Sequence, residues 1–159
     1  MMIAQLRSWF PSIAQRREAQ ALYIALVGQS RKAFFYADCA VPDTLDGRFD
    51  IILLHVFLAL HKLNDDASEV LRRLLLEALF DDMDRSLREM GVGDMGVGKR
   101  VKTMSKAVFG RLAAYGKSFA DDRTLSEALA RNIYRGEEIA PQKLALLLGY
   151  ARNYALLSG

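Results

Sequence analysis

A chain of 159 residues, 52% hydrophobic and 26% charged, has the length of one domain and an ordinary globular composition. With 22 Lys+Arg against 19 Asp+Glu the formal charge is +3, too small a surplus to indicate a polyanionic partner by itself. The single cysteine, Cys39, excludes an intramolecular disulfide, and one Cys, two His and no CxxC pair argue against a structural zinc site.

The opening stretch, MMIAQLRSWFPSIAQRR, lacks the apolar core and small-residue cleavage site of a signal peptide. Within it Ile3, Leu6, Phe10 and Ile13 recur at helical spacing beside Arg7 and Trp9, the pattern of a weak interfacial anchor. Pro11 interrupts that pattern, so a docked or frayed terminus is expected instead. Ser12 and Gln15 have the spacing of a capping box and open a helix through Tyr23, Leu26 and Val27. Residues 1–30 are expected to form an N-terminal helical segment, loosely attached, ahead of a helical domain over residues 31–159.

The stretch RKAFFYADCAVPD predicts a short helix that stops before Pro42, because the residue preceding a proline is pushed out of the helical region. From about Phe49 to Leu63 a helix that is hydrophobic all round should lie at the centre of the core. Its apolar run Ile51–Leu60 is about half the ~20 residues of a membrane span. A long helix from about Asp66 to Met90 ends at Gly91, a residue type favoured just past helix C-termini. Asp81 with Arg85, Asp84 with Arg88 and Arg85 with Glu89 stand four apart on it. The next helix is predicted from Lys99 to Phe119. Thr124 and Glu127 form a second capping box, opening a helix that ends at Gly136. Pro141 marks the first turn of a last helix through Leu144, Leu147, Leu148 and Tyr154. No stretch alternates with period two. The expectation is an all-α, single-domain bundle of six or seven helices.

The segment GVGDMGVGKRVKTMSK, Gly91–Lys106, needs separate treatment. Gly93, Gly98 and Lys99 match the first three fixed positions of a phosphate-binding loop, but Arg100 stands where a hydroxyl residue must hold magnesium. That loop also follows a strand, and this one follows a helix. The remaining reading is an interhelical hinge at Gly91, Gly93, Gly96 and Gly98, where glycine permits positive φ. Beyond it, Val101, Met104, Val108, Leu112, Tyr115 and Phe119 share one helical face, Lys99, Lys102, Lys106 and Lys117 the opposite one, with Arg100 and Arg111 on the flank. Met95–Ala120 holds six Lys+Arg and no carboxylate, whereas His61–Asp94 holds five against nine. Lys99, Arg100 and Lys102 would also crowd a helix N-terminus, where the dipole disfavours cations. Lys99, Arg100, Lys102 and Lys106 are therefore the candidate contact for an anionic partner. The acidic helix just before them offers the alternative of internal neutralisation.

Other residues read as structural. His55 and His61, six apart, face different sides of their helix and cannot chelate one metal in the i, i+4 manner. His55 is expected as a hydrogen-bonded core residue and His61 as a residue near a helix end. Asp81, Asp82 and Asp84 read as a solvated face paired with arginines. Phe34, Phe35 and Tyr36 read as core or groove lining. Met83, Met90, Met95 and Met104 fit either an adaptable groove or core filling. Nothing here suggests a catalytic, cofactor-binding or metal-binding residue.

Three stretches, GRFDIILLHVFLAL (Gly47–Leu60), LFDDMDRSLREMGVGDMGVGKRVKTMSKAVFGRLAAY (Leu79–Tyr115) and LARNIYRG (Leu129–Gly136), resemble the ubiquinol–cytochrome c chaperone family, assembly factors of the respiratory cytochrome bc complex. The compact length is similar to that of a bacterial member. The resemblance implies an all-helical, non-enzymatic chaperone without a cofactor. Its implied partner is newly made cytochrome b or another bc complex subunit, with the ribosome or an anionic membrane surface as further contacts and no DNA. The implied location is cytoplasmic, peripheral at the inner face of the cytoplasmic membrane. The charge pattern alone leaves a second reading, an electrostatic module for RNA or anionic membrane.

Overall fold

The computed structural model describes residues 10–154, and within them no strand occurs. The first helix, α1 (Ile13–Ser30), opens on a reciprocal cap. The Ser12 amide donates to Gln15 Oε1 at 2.8 Å, and the Gln15 amide donates to Ser12 Oγ at 3.1 Å. A π-helical turn at Phe34–Asp38 follows, then α2 (Leu45–Lys62), a 3-10 turn (Asp66–Ser68) and α3 (Glu69–Glu89). Helices α4 (Asp94–Ser118), α5 (Asp122–Ile133) and α6 (Pro141–Tyr154) complete the described chain, and the all-α expectation holds. Ile3, Leu6, Arg7 and Trp9, named above for an interfacial anchor, lie outside the described residues, while Phe10 and Ile13 are exposed.

Three local expectations need correction. The segment before Pro42 is a π-helical turn, closed by the Cys39 amide reaching back to the Phe34 carbonyl at 3.0 Å, with Ala40 in the left-handed region at φ 55°. Helix α5 is capped by Asp121, not by Thr124. The Asp121 carboxylate accepts from the Thr124 amide at 2.9 Å, and the Thr124 hydroxyl is engaged with the Ser118 and Asp121 carbonyls. A carboxylate is the better acceptor for the positive end of a helix, so the start moves three residues upstream. Glu127 pairs with Arg123 instead of closing a box.

The third correction concerns the glycine segment. Helix α4 starts at Asp94, five residues before the predicted Lys99, so Gly96 and Gly98 are helical and not part of a hinge. The turn itself is confined to Met90–Gly93, and only Gly91 in it needs glycine's freedom, at φ 84°. The Gly91 amide returns to the Arg88 carbonyl at 3.0 Å and the Val92 amide to the Leu87 carbonyl at 3.1 Å, closing α3 as a Schellman motif. Lys99, Arg100 and Lys102 consequently stand beyond the first turn of α4. The dipole penalty fades within one turn and does not apply to them. Asp94 occupies that turn, and its carboxylate pairs with Arg88.

The chain is organised as two compact units, each drawn from two separate stretches of sequence. The first takes residues up to Ala25 together with Leu63–Ser105. In it Tyr23 donates its hydroxyl to Asp82 at 2.6 Å, and Leu74, Leu75, Leu79, Met83, Leu87 and Val97 are buried. The second takes Leu26–Lys62 together with residues from Lys106 onward. In this unit α2 is buried on every side from Leu53 through Ala59, as its all-apolar sequence predicts. The surrounding core includes Phe35, Ile51, Leu54, Phe57, Tyr115, Leu125, Leu129, Ile133 and Leu147, each worth roughly 1.5–3 kcal/mol of apolar burial. Among the described residues no helix is long and apolar enough to cross a membrane.

Candidate functional site

Helix geometry sets the outward face of α4. At about 100° per residue, Lys99, Lys102 and Lys106 fall within an arc of roughly 60°, and Arg100 lies outside it. All four are exposed. Val97, Val108 and Tyr115, on the other side, are buried at 1%, 0% and 1% exposure.

None of the four cations has a carboxylate partner among the described residues. Three acidic residues of α3, Glu77, Asp82 and Asp84, are engaged elsewhere. Arg88 holds Asp84 at 2.9 Å as well as Asp94, Arg73 holds Glu77 at 3.9 Å, and Arg16 of α1 reaches Glu77 at 3.8 Å. Arg85 pairs with Asp82 at 3.7 Å, one position away from the Asp81 expected from i, i+4 spacing. Among the described residues no ion pair neutralises Lys99, Lys102 or Lys106.

Arg111 behaves differently. The helix turns it to the core side, where its guanidinium meets Asp50 of α2, 1% exposed. Arg135, whose own φ of 54° is left-handed, donates Nε to the other carboxylate oxygen at 3.2 Å and reaches Asp46 at 3.7 Å. Burial raises the Asp50 pKa, and the guanidinium groups of Arg111 and Arg135 oppose that rise. This buried charge cluster was missed in the sequence. Its one signal was a carboxylate heading an otherwise apolar run, with no arginine at helical spacing to suggest a partner.

His55 takes its expected place, fully buried between Phe35 and Tyr150. Nδ1 lies 2.8 Å from the Ile51 carbonyl oxygen and Nε2 2.7 Å from the Tyr150 hydroxyl. Burial lowers its pKa from 6.5 to about 4. The unfolded chain thus gains a proton at this position as pH falls below 6.5, and the folded chain resists it down to about 4. Stability present above pH 6.5 should be lost across that window, by up to about 3 kcal/mol. Urea unfolding from pH 7 to 4 should therefore show a shallower decline for His55→Gln than for the native chain. Equal slopes would refute this assignment. His61 is exposed at the end of α2, with its ring centroid 4.1 Å from that of Phe119.

Phe35 is core, with Phe34 and Tyr36 packed partly buried against it. The methionines do not form one groove: Met83 is buried, whereas Met90 and Met95 are 56% and 92% exposed. Burial pushes the Cys39 thiol up to about 11, so it is held as the neutral thiol.

A family model described as ubiquinol–cytochrome C chaperone matches residues 37–156, from the π-helical turn through the last described helix. The chain belongs to the ubiquinol–cytochrome c chaperone family. Its curated relatives include ubiquinol–cytochrome c reductase complex assembly factor 1 of Xenopus laevis, 27% identical over 122 residues, which cover 75% of this chain and 61% of the relative. The Homo sapiens protein of the same name is 26% identical over 138 residues, covering 85% of this chain and 46% of the relative. The chain thus spans about half to three-fifths of the length of these relatives. The crystal structure of the Cbp3 homolog from Brucella abortus matches with a TM-score of 0.75 at 33% identity, over 99% of this chain and 90% of that one. Within the ubiquinol–cytochrome c chaperone match lie Gly47, Asp50, Arg111 and Arg135 as well as the lysines of α4.

Proposed function

We propose that this chain is a non-enzymatic assembly chaperone for ubiquinol–cytochrome c reductase and that newly made cytochrome b is its client. The observation that carries the reading is the extent of the likeness. Relatives named as assembly factors of that complex align over most of the chain, and a solved family structure covers nearly all of it. Lys99, Arg100, Lys102 and Lys106, exposed and without carboxylate partners among the described residues, are the positions we assign to contact with an anionic surface.

Two measurements test the client. Affinity capture of the tagged protein from detergent-solubilised membranes should enrich cytochrome b over an unrelated polytopic protein. Deleting the gene should lower the amount of assembled bc complex while leaving the cytochrome b transcript unchanged. Capture of another bc subunit without cytochrome b would move the client within the complex. A deletion strain with a full complement of assembled complex would overturn the reading.

A further inference from the structure

Helix α1 is apolar on two opposite sides. Ala19 and Tyr23 point inward, at 2% and 4% exposure. On the far side of the helix Ile13, Ala14, Arg17, Ala21 and Ile24 share an arc of about 100°, and all five are exposed. Ile13 is 73% exposed and Ile24 62%. With Phe10, they make up three of the eight large apolar side chains exposed among the described residues, so the bulk of α1 that faces water is unusual for this chain. The stripe lies wholly in the first compact unit.

A purely solvated face has no use for this composition. Isoleucine is a poorer helix former than the alanine, glutamate or lysine that would serve there. Arg17 is the single charged residue inside the arc. Among the described residues it has no carboxylate partner, whereas its neighbour Arg16 is held by Glu77. No acidic residue stands in the first turn of α1, so the positive end of the helix dipole has no charge of its own chain to balance it there. A covering group must therefore bring apolar surface to both ends of the stripe and negative charge between them. A second copy does not fit, because Arg17 sits about 2 Å along the axis from the midpoint of the stripe and a two-fold pairing sets like charge against like. A lipid surface fits poorly, since Ala14 and Ala21 are too short to enter the acyl boundary beside the isoleucines. The same two alanines let another helix approach closely and pack its side chains between the isoleucines.

We propose that the outward stripe of α1 docks a helix of a partner protein whose contact face is apolar at both ends and carries a carboxylate opposite Arg17. The dipole at the start of α1 favours an antiparallel arrangement, which brings the negative C-terminal end of the partner helix beside it. Ile24, Ala21, Arg17 and Ile13 then face partner positions i, i+3, i+7 and i+11. This goes beyond the chaperone reading and does not depend on it, because the test contains no bc complex component.

The probe is a labelled, end-capped amphipathic peptide of about 18 residues, with leucine at i, i+3 and i+11 and glutamate at i+7, titrated with the full chain and followed by fluorescence anisotropy. It should bind, and a peptide with lysine in place of the glutamate should bind about tenfold more weakly. The Arg17→Glu chain should invert that preference, a result that loss of folding does not produce. Ile24→Ser should weaken both peptides by about tenfold through lost apolar contact. The same charge swap at an exposed cation elsewhere, Arg131→Glu, should leave the preference as it was. Unchanged circular dichroism in all three variants keeps the comparison one of surface and not of folding.

Absence of binding to either peptide would overturn the proposal, as would a preference that Arg17→Glu leaves uninverted. Sedimentation velocity showing a dimer that Ile24→Ser abolishes would place a second copy on the stripe and overturn it too. So would Ile24-dependent binding to phosphatidylglycerol vesicles without any binding to the peptides.

Discussion

Replacing Asp50 with alanine should cost about 3–5 kcal/mol of folding stability, towards the lower end because Arg135 keeps access to water. Asp50 is 1% exposed, and the Arg111 side chain it pairs with is 18% exposed. Removing the carboxylate leaves that guanidinium buried against α2 without its counterion, and this uncompensated charge dominates the loss. For a chain of this size the thermal midpoint should fall by about 10 °C. The double change Asp50→Leu, Arg111→Met, which removes both charges and keeps the volume, should recover more than half of the loss. Thermal melts followed by circular dichroism decide it. A midpoint unmoved by Asp50→Ala would mean that the cluster contributes nothing to stability.

A substitution of similar severity lies three residues upstream. A Cβ at Gly47 would overlap the carbonyl oxygen of Pro42 and approach its carbonyl carbon to 2.9 Å. Both atoms are backbone and cannot rotate away, so the start of α2 must shift against the chain that enters it. The Gly47 amide also donates to Thr44 Oγ1 at 3.0 Å, a capping bond that the shift would break. Gly47→Ala should therefore destabilise by about 3 kcal/mol or more. Gly98→Ala is the matched contrast, because nothing lies within 4 Å of its Cβ and α4 is helical there. That change should stabilise by about 0.5–1 kcal/mol through restriction of the unfolded chain. A Gly98→Ala variant less stable than the native chain would return residue 98 to a non-helical hinge.

The difference between Gly47 and Gly98 shows what the sequence can and cannot disclose. Helical periodicity, the apolar run of α2 and the cap at Ser12 and Gln15 are local patterns, and local hydrogen bonding reproduces them. The glycine cluster drew the eye because its spacing is local too, yet Gly96 and Gly98 are helical, Gly93 closes the turn, and only Gly91 requires positive φ. Helix α4 could begin early because Asp94 suits its positive end and two helical glycines can be tolerated there. Gly47 and Asp50 stand in a stretch whose likeness to the family was legible, but their reasons are contacts with distant or irregular backbone and side chains. Asp50 depends on residues 61 and 85 positions away, a relation without periodicity. The basic face of α4 was legible as charge. Its freedom from carboxylates became visible only once the arginines of α3 were placed.

The surroundings of His55 determine which of its nitrogens bears hydrogen. A carbonyl oxygen can only accept, so Nδ1 beside Ile51 carries the proton, and Nε2 must take one from the Tyr150 hydroxyl. One imidazole tautomer is thereby selected, and neither lone pair nor N–H is left for chemistry. The ring serves as a polar strut joining α2 to α6 in a layer otherwise built of aromatic edges, with its hydrogen-bonding direction set from the carbonyl of its own helix.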